Sequence, residues 1–410
     1  MGGGKTSWAI NELLNGDPSV NYLYITPFLE EIERVKSESS RQIVSPVNKG
    51  AGKIGNIAEL LKNQNDIAAT HELFRRFNDE CKAALAENKY ILILDETITA
   101  VEPYHFDHKD DYNYLLDNHD IRVNNDGLIE WIGDKQIDTR FNDVRTLTEN
   151  KSLFRVDDKF FLWHYPVEVF GLFEQVYILT YLFSGSLMKY YFDLYQIDYT
   201  TKSISQINDK YQLVNYFPPN KKPYRNRIEI YEGVLTKNIC QKPTMLSSRW
   251  CQSRYNQSEL NQIRRNLYNY CRNIIDAPSG RIMWSSFKHM KKFFSGKGYA
   301  KGFVSCNARA TNDYRDRTCL AYLINWYENP EIVKFFHERN IEIDQDAIAL
   351  STMIQWLWRS NIRVSDSNDK INIYIPSKRM RELLKSWLND DDNKTDVGAA
   401  HHLESYSFCV

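Results

Sequence analysis

Two short groups of residues in the N-terminal part of the chain have the types and the spacing needed to bind a polyphosphate. The first is GKTS at residues 4–7, which matches the end of the pattern GxxxxGK[ST]. In that pattern glycines let backbone N–H groups approach phosphates, the lysine reaches the β and γ phosphates, and the following hydroxyl binds Mg²⁺. A frayed, glycine-rich terminus is the alternative interpretation. The predicted nucleotide-binding loop consists of Gly2, Gly3, Gly4, Lys5, Thr6 and Ser7, with Thr6 as a Mg²⁺ ligand.

The second group ends the apolar run YILILDET at residues 90–97. An uninterrupted apolar run of this length is typical of a buried parallel strand, whose C-terminal tip would present Asp95 and Glu96. Asp95 would hold Mg²⁺ through water, and Glu96 would polarise the water that attacks the terminal phosphate. A buried strand that ends in a solvated acidic turn would look the same, but the GKTS sequence upstream favours a catalytic pair.

The complete loop pattern has a glycine six positions before the lysine, and a strand normally leads into it. Both would precede Met1 in this chain. We therefore expect either that the protein starts upstream of Met1 or that this form lacks a central strand.

Several other runs read as strands that alternate with helices. Residues 21–27 form a short apolar run stopped by proline, residues 66–74 read as a strand that enters a helix, and residues 176–180 read as a third strand. Residues 281–287 and 371–376 have the same character in the C-terminal half. Strands that alternate with helices imply a parallel sheet with functional residues at the strand tips.

Five of these segments also carry a family resemblance. GGGKTS, YITP, ATHELF, ILILDET and ILTYLFSGS stand in this order along the chain. They resemble motifs I, Ia, Ib, II and III of superfamily 2 helicases of the DEAD/DEAH-like type, in particular those encoded by bacteriophages. The resemblance implies an α/β fold of two tandem RecA-like P-loop NTPase lobes with mostly parallel sheets, the first strand of lobe one being absent. It also implies ATP and Mg²⁺ as cofactors.

The same resemblance assigns roles to residues at the predicted strand tips. It implies that four of them face the nucleic-acid strand, and that Thr180 and Ser184 couple the ATP site to the interface between the lobes. The four residues expected to contact nucleic acid are Thr26, Pro27, Thr70 and His71.

Residues 350–363 contain two arginines and a glutamine at helical spacing. Gln355, Arg359 and Arg363 are spaced i, i+4 and i+8, so on one helix they would line a single arc beside an apolar face. The segment resembles motif VI of the same helicases, usually QxxGRxxR, with Trp358 in place of the glycine and the second arginine one residue late. This implies that Arg359 enters the ATP site of the opposite lobe as an arginine finger, with Gln355 and Arg363 as further catalytic residues. A solvated or salt-bridged helix face is the alternative.

A third segment, residues 306–317, is rich in arginine, asparagine and aspartate. Arg309, Arg315 and Arg317, with Asn307 and Thr311, could hold phosphates of a bound strand, as hydroxyl and guanidinium groups commonly do. A loop stabilised by its own Asn and Asp side chains fits the composition equally well.

Composition sets outer limits on the function. The 410 residues carry a net charge of −1, so a polyanion must be bound by a local basic surface and not by the overall charge. Seven scattered cysteines without a CxxC pair argue against a disulfide framework and a zinc ribbon. No run reaches the roughly 18 apolar residues of a membrane span. We expect a soluble cytoplasmic protein, located in the host cytoplasm if a phage encodes it.

The predicted domain organisation has four parts. Lobe one spans residues 1–205, with an acidic and aromatic insertion at about 101–159. A connecting region, residues 206–275, leads to lobe two at residues 276–390. Residues 391–410 are expected to form a flexible tail, because they follow an aspartate-rich run.

Together these features predict an ATP-dependent helicase or translocase. Its partner would be single-stranded or duplex DNA, or RNA, and proteins of replication or recombination are further expected partners. Two alternatives use the same loop: a nucleotide or nucleoside kinase, which would phosphorylate a small molecule, and a nucleic-acid-binding remnant with a truncated loop that does not hydrolyse ATP.

Overall fold

The computed structural model of the chain describes residues 4–50, 52–134, 139–157, 160–217, 221–239, 241–306, 313–364, 367–389 and 399–403. The predictions that fall on Gly2, Gly3, Asn307, Arg309 and Thr311 lie outside these residues. Within them, strands and helices alternate along most of the chain, and the predicted α/β class with mostly parallel sheets is confirmed.

The first part of the chain builds most of the first sheet. Each apolar run predicted from the sequence is a strand here, and the run before Asp95 and Glu96 is buried throughout. The helix Lys5–Trp8 continues as a π-helical turn, Ala9–Leu13. The strands are β1 (Asn21–Thr26), β2 (Ile43–Val44), β3 (Asp66–Thr70) and β4 (Tyr90–Asp95), and the helices are α1 (Lys5–Trp8), α2 (Leu29–Glu38), α3 (Gly52–Lys62), α4 (His71–Arg75) and α5 (Asp79–Glu87).

A small antiparallel unit follows β4. It contains a three-stranded sheet in the order β5-β9-β8 and the hairpin β6-β7, and it has a hydrophobic core of its own around Leu115, Ile129 and Phe161. Its elements are β5 (Val101–Tyr104), α6 (Asp111–Asp117), β6 (Ile121–Val123), β7 (Ile129–Trp131), α7 (Asn142–Glu149), β8 (Leu153–Arg155) and β9 (Phe161–His164).

The chain then returns to the first sheet and passes to the second. The elements that complete lobe one are β10 (Gln175–Leu179), α8 (Leu187–Leu194), β11 (Thr200–Ile207) and β12 (Lys210–Asn215). The remaining elements are α9 (Lys222–Arg227), β13 (Ile228–Ile230), α10 (Val234–Lys237), α11 (Ser248–Gln252), α12 (Gln257–Asn269), β14 (Ile282–Ser285), α13 (Lys291–Phe294), β15 (Cys319–Tyr322), α14 (Pro330–His337), α15 (Gln345–Leu357), β16 (Ile371–Tyr374), α16 (Lys378–Asn389) and β17 (Ala399–Leu403).

Parallel pairing aligns the strand tips of the first sheet. Its order is β12-β11-β17-β10-β4-β1-β3-β2, and the strands from β10 to β2 are parallel. Leu179 lies opposite Asp95, and Thr26 lies opposite Thr70, so the C-terminal ends of four neighbouring strands meet at one edge. On its other side β10 pairs antiparallel with β17, a segment that the sequence placed in the C-terminal tail.

The second sheet is parallel throughout, in the order β13-β16-β15-β14. One face packs on α15 and α16, and the other on α12, a helix from the predicted connecting region; this sheet and the helices that pack on it form lobe two of the structure. The lobes touch directly where the turn Phe183–Gly185 meets α15. A Cβ atom on Gly185 would lie 2.5 Å from the carbonyl oxygen of Ala347 and 2.6 Å from Cβ of Ser351, so only glycine permits this approach. No helix within the described ranges combines the length and the hydropathy of a membrane span.

Candidate active site

The tip of β4 places two carboxylates at the edge where the lobes meet. Glu96 follows Asp95 with a φ of 71°, in the left-handed region that non-glycine residues seldom adopt. Its backbone N–H donates to the carbonyl oxygen of Leu179 at 3.1 Å, and the Thr180 hydroxyl donates to Glu96 Oε2 at 3.0 Å. The neighbouring strand β10 therefore holds the carboxylate of Glu96 in place and offsets the strain of its backbone.

Asp95 is held close to other acids. Burial, together with the carboxylates of Glu96 and Glu31, raises the pKa of its carboxyl group to about 7, and Lys5 opposes the shift. Two neighbouring carboxylates that share one buried corner repel each other, and a cation relieves this repulsion. The corner is thus suited to a divalent cation.

Lys5 reaches the same corner from the N-terminal helix. It follows Gly4, whose φ of 73° favours glycine and where a Cβ atom would lie 2.5 Å from the Tyr211 ring. The Lys5 ammonium lies 6.0 Å from the centre of the Tyr181 ring. Burial lowers the pKa of Lys5, while Glu96 and Asp95 raise it. Thr6 and Ser7 lie in the same helical turn.

Arg359 approaches from lobe two. Its side chain is only 7% exposed, and Nε and Nη1 are buried without a hydrogen-bond partner among the residues described. Burial lowers the pKa of its guanidinium to about 10, and the Glu96 carboxylate opposes that shift. Arg359 and Lys5 therefore approach Glu96 from opposite lobes, although they lie near opposite ends of the chain.

The expectation that Gln355, Arg359 and Arg363 share one helical arc is wrong. The helix α15 ends at Leu357, and Trp358 is its C-cap. The Ser360 hydroxyl donates to the carbonyl oxygen of Leu357 at 2.6 Å, and its oxygen accepts from the N–H of Ile362. Such local side-chain bonds compete with helix continuation.

The turn after α15 is also tied to a distant loop. The backbone N–H of Asn361 donates to the carbonyl oxygen of Arg317 at 3.0 Å, and its side-chain amide donates to that of Arg315 at 2.9 Å. These bonds fix Arg359 in the turn and place Arg363 in a 3₁₀ turn, Asn361–Arg363. Gln355 stays within α15, with its amide 3.4 Å from the Ser351 hydroxyl.

Two further arginines lie near Arg359 on the lobe-two side of the site. Arg363 is exposed, and its pKa is lowered by partial burial and by the charge of Arg315. Arg363 in turn lowers the pKa of Arg359. The sequence placed Arg315 among the arginines that could hold phosphates of a strand, but gave it no role at the ATP site. The three arginines favour an anionic ligand in front of Glu96.

The residues expected to contact nucleic acid lie at the tips of β1 and β3. Thr26 is buried, and its hydroxyl has no hydrogen-bond partner in the described part of the chain, whereas Pro27 is half-buried. The Thr70 hydroxyl caps α4 by accepting from the N–H of Leu73 at 3.3 Å. His71 Nε2 lies 3.1 Å from the carbonyl oxygen of Asp95, which connects this row to the carboxylate pair.

No cluster of three or more His, Cys, Asp or Glu side chains suited to a metal occurs within the residues that the structure describes. A Mg²⁺ ion that accompanies a polyphosphate is typically held by one or two protein oxygens, with phosphates and waters as its other ligands. The carboxylate of Asp95, raised in pKa beside Glu96, and the hydroxyl of Thr6 have the chemistry of such ligands.

Comparisons with known proteins show the family. A protein of Bacillus subtilis (strain 168) described as "SPbeta prophage-derived uncharacterized protein YonV" is 37% identical over 407 residues, which cover 95% of this chain and 97% of that protein. The chain belongs to the YonV family. Two family models match parts of it: the YonV middle domain at residues 101–163, and the YonV C-terminal Rossmann-like domain at residues 222–388. The first coincides with the antiparallel unit that begins at β5, and the second spans the second sheet.

A solved structure described as "XPD_Helicase" aligns with 95% of this chain and 94% of its own length, at 12% sequence identity and a TM-score of 0.46. This score is too low to establish a common fold.

Proposed function

We propose that this YonV-family protein hydrolyses ATP between its two lobes and uses the cycle to move along a DNA or RNA strand, as a helicase or translocase does. The observation that carries the proposal is the convergence of Lys5 and Arg359 on Glu96 from opposite lobes. A site assembled from two bodies can change with the state of its ligand, which a motor needs.

Each residue of the corner has a role that follows from its chemistry. The Lys5 ammonium and the backbone around Gly4 would bind the β and γ phosphates. Thr6 and Asp95 would hold Mg²⁺, which when bound neutralises phosphate charge. Glu96, fixed by the Thr180 hydroxyl, would accept a proton from the attacking water. Arg359 would stabilise the negative charge that develops on the terminal phosphate.

The unpartnered guanidinium of Arg359 supports this assignment. A buried donor without an acceptor costs free energy, on the order of 1–3 kcal/mol for a neutral group and more for a charged one. A phosphate oxygen in the cleft would accept from Nε and Nη1 and remove that cost. The positive charges of Arg315 and Arg363 add to the attraction for an anion.

A direct physical link connects the Glu96 carboxylate to lobe two. Thr180, which donates to Glu96, is followed by Tyr181, whose ring lies 5.9 Å from the ring of Trp358. Trp358 immediately precedes Arg359. A change in the hydrogen bond of Glu96 after hydrolysis would therefore act on the turn that carries the arginine, and this coupling would move one lobe against the other.

The B. subtilis relative is described as prophage-derived, which supports a phage context for the proposed activity. Within this proposal, replication or recombination proteins in the host cytoplasm would be its partners. The strand itself would follow the tips of β1 and β3, where Pro27 and His71 lie.

The test is the ATPase rate of the full chain with Mg²⁺, measured with and without single-stranded DNA or RNA. We expect turnover that the strand stimulates, and a loss of about 10²- to 10⁴-fold in Glu96→Gln, because the variant lacks the general base. Glu72→Gln, an exposed glutamate on α4 paired with Arg76, is the matched control and should keep full activity. A phosphorylated nucleoside product would indicate a kinase instead. Strand binding without any turnover would indicate a non-hydrolysing protein.

A further inference from the structure

A strongly basic surface lies on lobe two, outside the ATP site. Between Gln257 and Cys306 the chain has nine lysines and arginines but only two acids, although the whole protein has a net charge of −1. Such local imbalance is the electrostatic signature of polyanion binding.

The second sheet separates this surface from the cleft. Along β14, Met283 packs in the hydrophobic cluster that includes Tyr181 of lobe one, whereas Trp284 packs in the cluster built on α12. Side chains of successive strand residues point to opposite faces. The helix α12 therefore covers the face of the sheet that is turned away from Arg359.

A groove runs between α12 and the segment after α13. It encloses about 410 Å³. Gly296 lets the segment after α13 lie against Tyr299, because a Cβ atom at this position would lie 2.5 Å from the Tyr299 hydroxyl. The residues that line it are Arg264, Arg265, Tyr268, Asn269, Ser295, Gly296 and Tyr299.

The cations of the groove have no acidic partners within the described residues. The Arg264 guanidinium lies 5.1 Å from the centre of the Phe293 ring, and Arg265 donates to the amide oxygen of Gln262 at 2.7 Å. Lobe one differs, because Arg34 on α2 is paired with two glutamates and Arg76, at the end of α4, with one. The positive charges of Arg264 and Arg265 are thus available to a ligand.

An aromatic face lies beside these charges. Tyr268 is 45% exposed, one helical turn after Arg264 and on the same side of α12. A tyrosine face next to unpaired arginines matches single-stranded nucleic acid, whose bases stack on aromatic rings while its phosphates bind guanidinium groups. An acidic protein segment would use the charges but would leave the ring without a role.

We propose that the groove formed by Arg264, Arg265 and Tyr268 binds a segment of single-stranded nucleic acid, as a second contact away from the ATP site. It extends the proposed function by adding a contact that needs no nucleotide. A strand bound in this groove would stay attached to lobe two while its contacts with the tips of β1 and β3 change during the ATP cycle.

The first experiment measures the fluorescence anisotropy of a labelled dT20 oligonucleotide with the full chain, without nucleotide. The double variant Arg264→Ala/Arg265→Ala should bind about tenfold more weakly, and its slope of log affinity against log salt should be smaller by about 1.4, or about 0.7 for each lost phosphate contact. The matched control, Arg34→Ala/Arg76→Ala, loses the same two charges from lobe one and should bind as the wild type does. Equal loss of binding in both double variants would overturn the proposal.

The second experiment separates stacking from charge. Tyr268→Ala should weaken dT20 binding at least about fivefold, the lower range for one stacked base, whereas Tyr268→Phe should bind normally. Polyglutamate should compete poorly at equal charge. Efficient competition by polyglutamate, with no effect of Tyr268→Ala, would identify an acidic protein partner and contradict the proposal.

The two proposals can fail separately. The groove variants should keep the ATPase rate measured without nucleic acid, because they are remote from Lys5 and Glu96. If the chain hydrolyses no ATP but dT20 binding responds to these variants, only the motor proposal fails. If turnover is normal and dT20 binding does not respond to the groove variants, only the groove proposal fails.

Discussion

Two of the contacts between the lobes are built in opposite ways. One is the cleft, where Lys5, Glu96 and Arg359 bring buried charge together. The other is the apolar contact of α14, whose Phe335 and Phe336 pack into the hydrophobic core of lobe one. The cleft leaves polar groups available to a ligand, whereas aromatic rings fill the apolar contact.

Two arginines show the difference. Arg339, at the apolar contact, lies 3.8 Å from the centre of the Phe335 ring and donates to the carbonyl oxygen of Asp126 in the antiparallel unit. Burial lowers its pKa, as it does for Arg359. However, Arg359 has two buried nitrogens without partners in the described part of the chain. We infer that the apolar contact holds the lobes together and that the cleft keeps its charges for a ligand.

Substitution of Arg359 in the cleft should have the strongest effect, a loss of ATPase turnover. Arg359→Ala should reduce kcat by about 10³- to 10⁵-fold, the contribution typical of an arginine finger, because the transition-state charge loses its buried cation. The free energy of unfolding should change little or rise, since an unpartnered buried charge is removed. Steady-state ATPase assays and urea denaturation measure the two quantities.

Arg363→Ala serves as the control for that variant, because it removes an exposed arginine of the same cluster. It should lose much less activity than Arg359→Ala. Near-normal turnover in Arg359→Ala would show that this residue has no role in catalysis. The cleft would then lack the ligand-binding role that distinguishes it from the apolar contact.

A smaller effect, on stability, is expected at the apolar contact. Phe335 is 1% exposed, and its ring lies 5.5 Å from that of Phe154 in β8. Phe335→Ala should lower the free energy of unfolding by about 3–5 kcal/mol, through lost burial and a residual cavity. Urea denaturation checks this value. A change below about 1 kcal/mol would show that α14 does not hold the lobes together.

The smallest of the three effects concerns pH. His164 lies beside Phe154 at the same contact; its Nδ1–H donates to the carbonyl oxygen of Tyr165, and Nε2 accepts from the Tyr195 hydroxyl at 3.1 Å. Burial lowers the pKa of His164 to about 4. The unfolded chain, with an ordinary histidine pKa near 6.5, therefore binds a proton that the folded chain excludes between these values.

The stabilisation from neutral His164 is complete above pH about 6.5 and is lost as the pH falls towards 4. From pH 7 to pH 4 the wild type should lose about 3 kcal/mol more stability than His164→Asn, which cannot titrate. Unfolding curves of both proteins at several pH values give this difference, and the values at pH 7 correct for any packing defect of the variant. Parallel pH dependence in the two proteins would contradict the assignment.

Much of lobe one could be predicted from the sequence. The apolar run at residues 90–95 and the proline after Thr26 define strands by local pattern alone, and the structure has both strands at those positions. The strand that enters a helix at His71 is also confirmed. The catalytic and binding roles given to these residues remain predictions.

The end of α15 could not be predicted in this way. Helical periodicity continues through Arg359 in the sequence, but the helix stops at Leu357. Local bonds of Ser360 to Leu357 and Ile362 help to end the helix. The turn after it is fixed by bonds from Asn361 to the carbonyl oxygens of Arg315 and Arg317, and by the packing of Trp358 against Tyr181 of the other lobe. The partners of Asn361 and Trp358 are distant in sequence, so no local pattern reports them.

That two carboxylates end a buried strand follows from the sequence, because hydrophobic burial and parallel pairing depend on runs of adjacent residues. The motif resemblance also implied that Arg359 enters the site, but the way it reaches Glu96 depends on tertiary contacts. After the local bonds of Ser360 help to end α15, the bonds of Asn361 to a distant loop fix the turn, and the packing of Trp358 on lobe one brings Arg359 to the carboxylate.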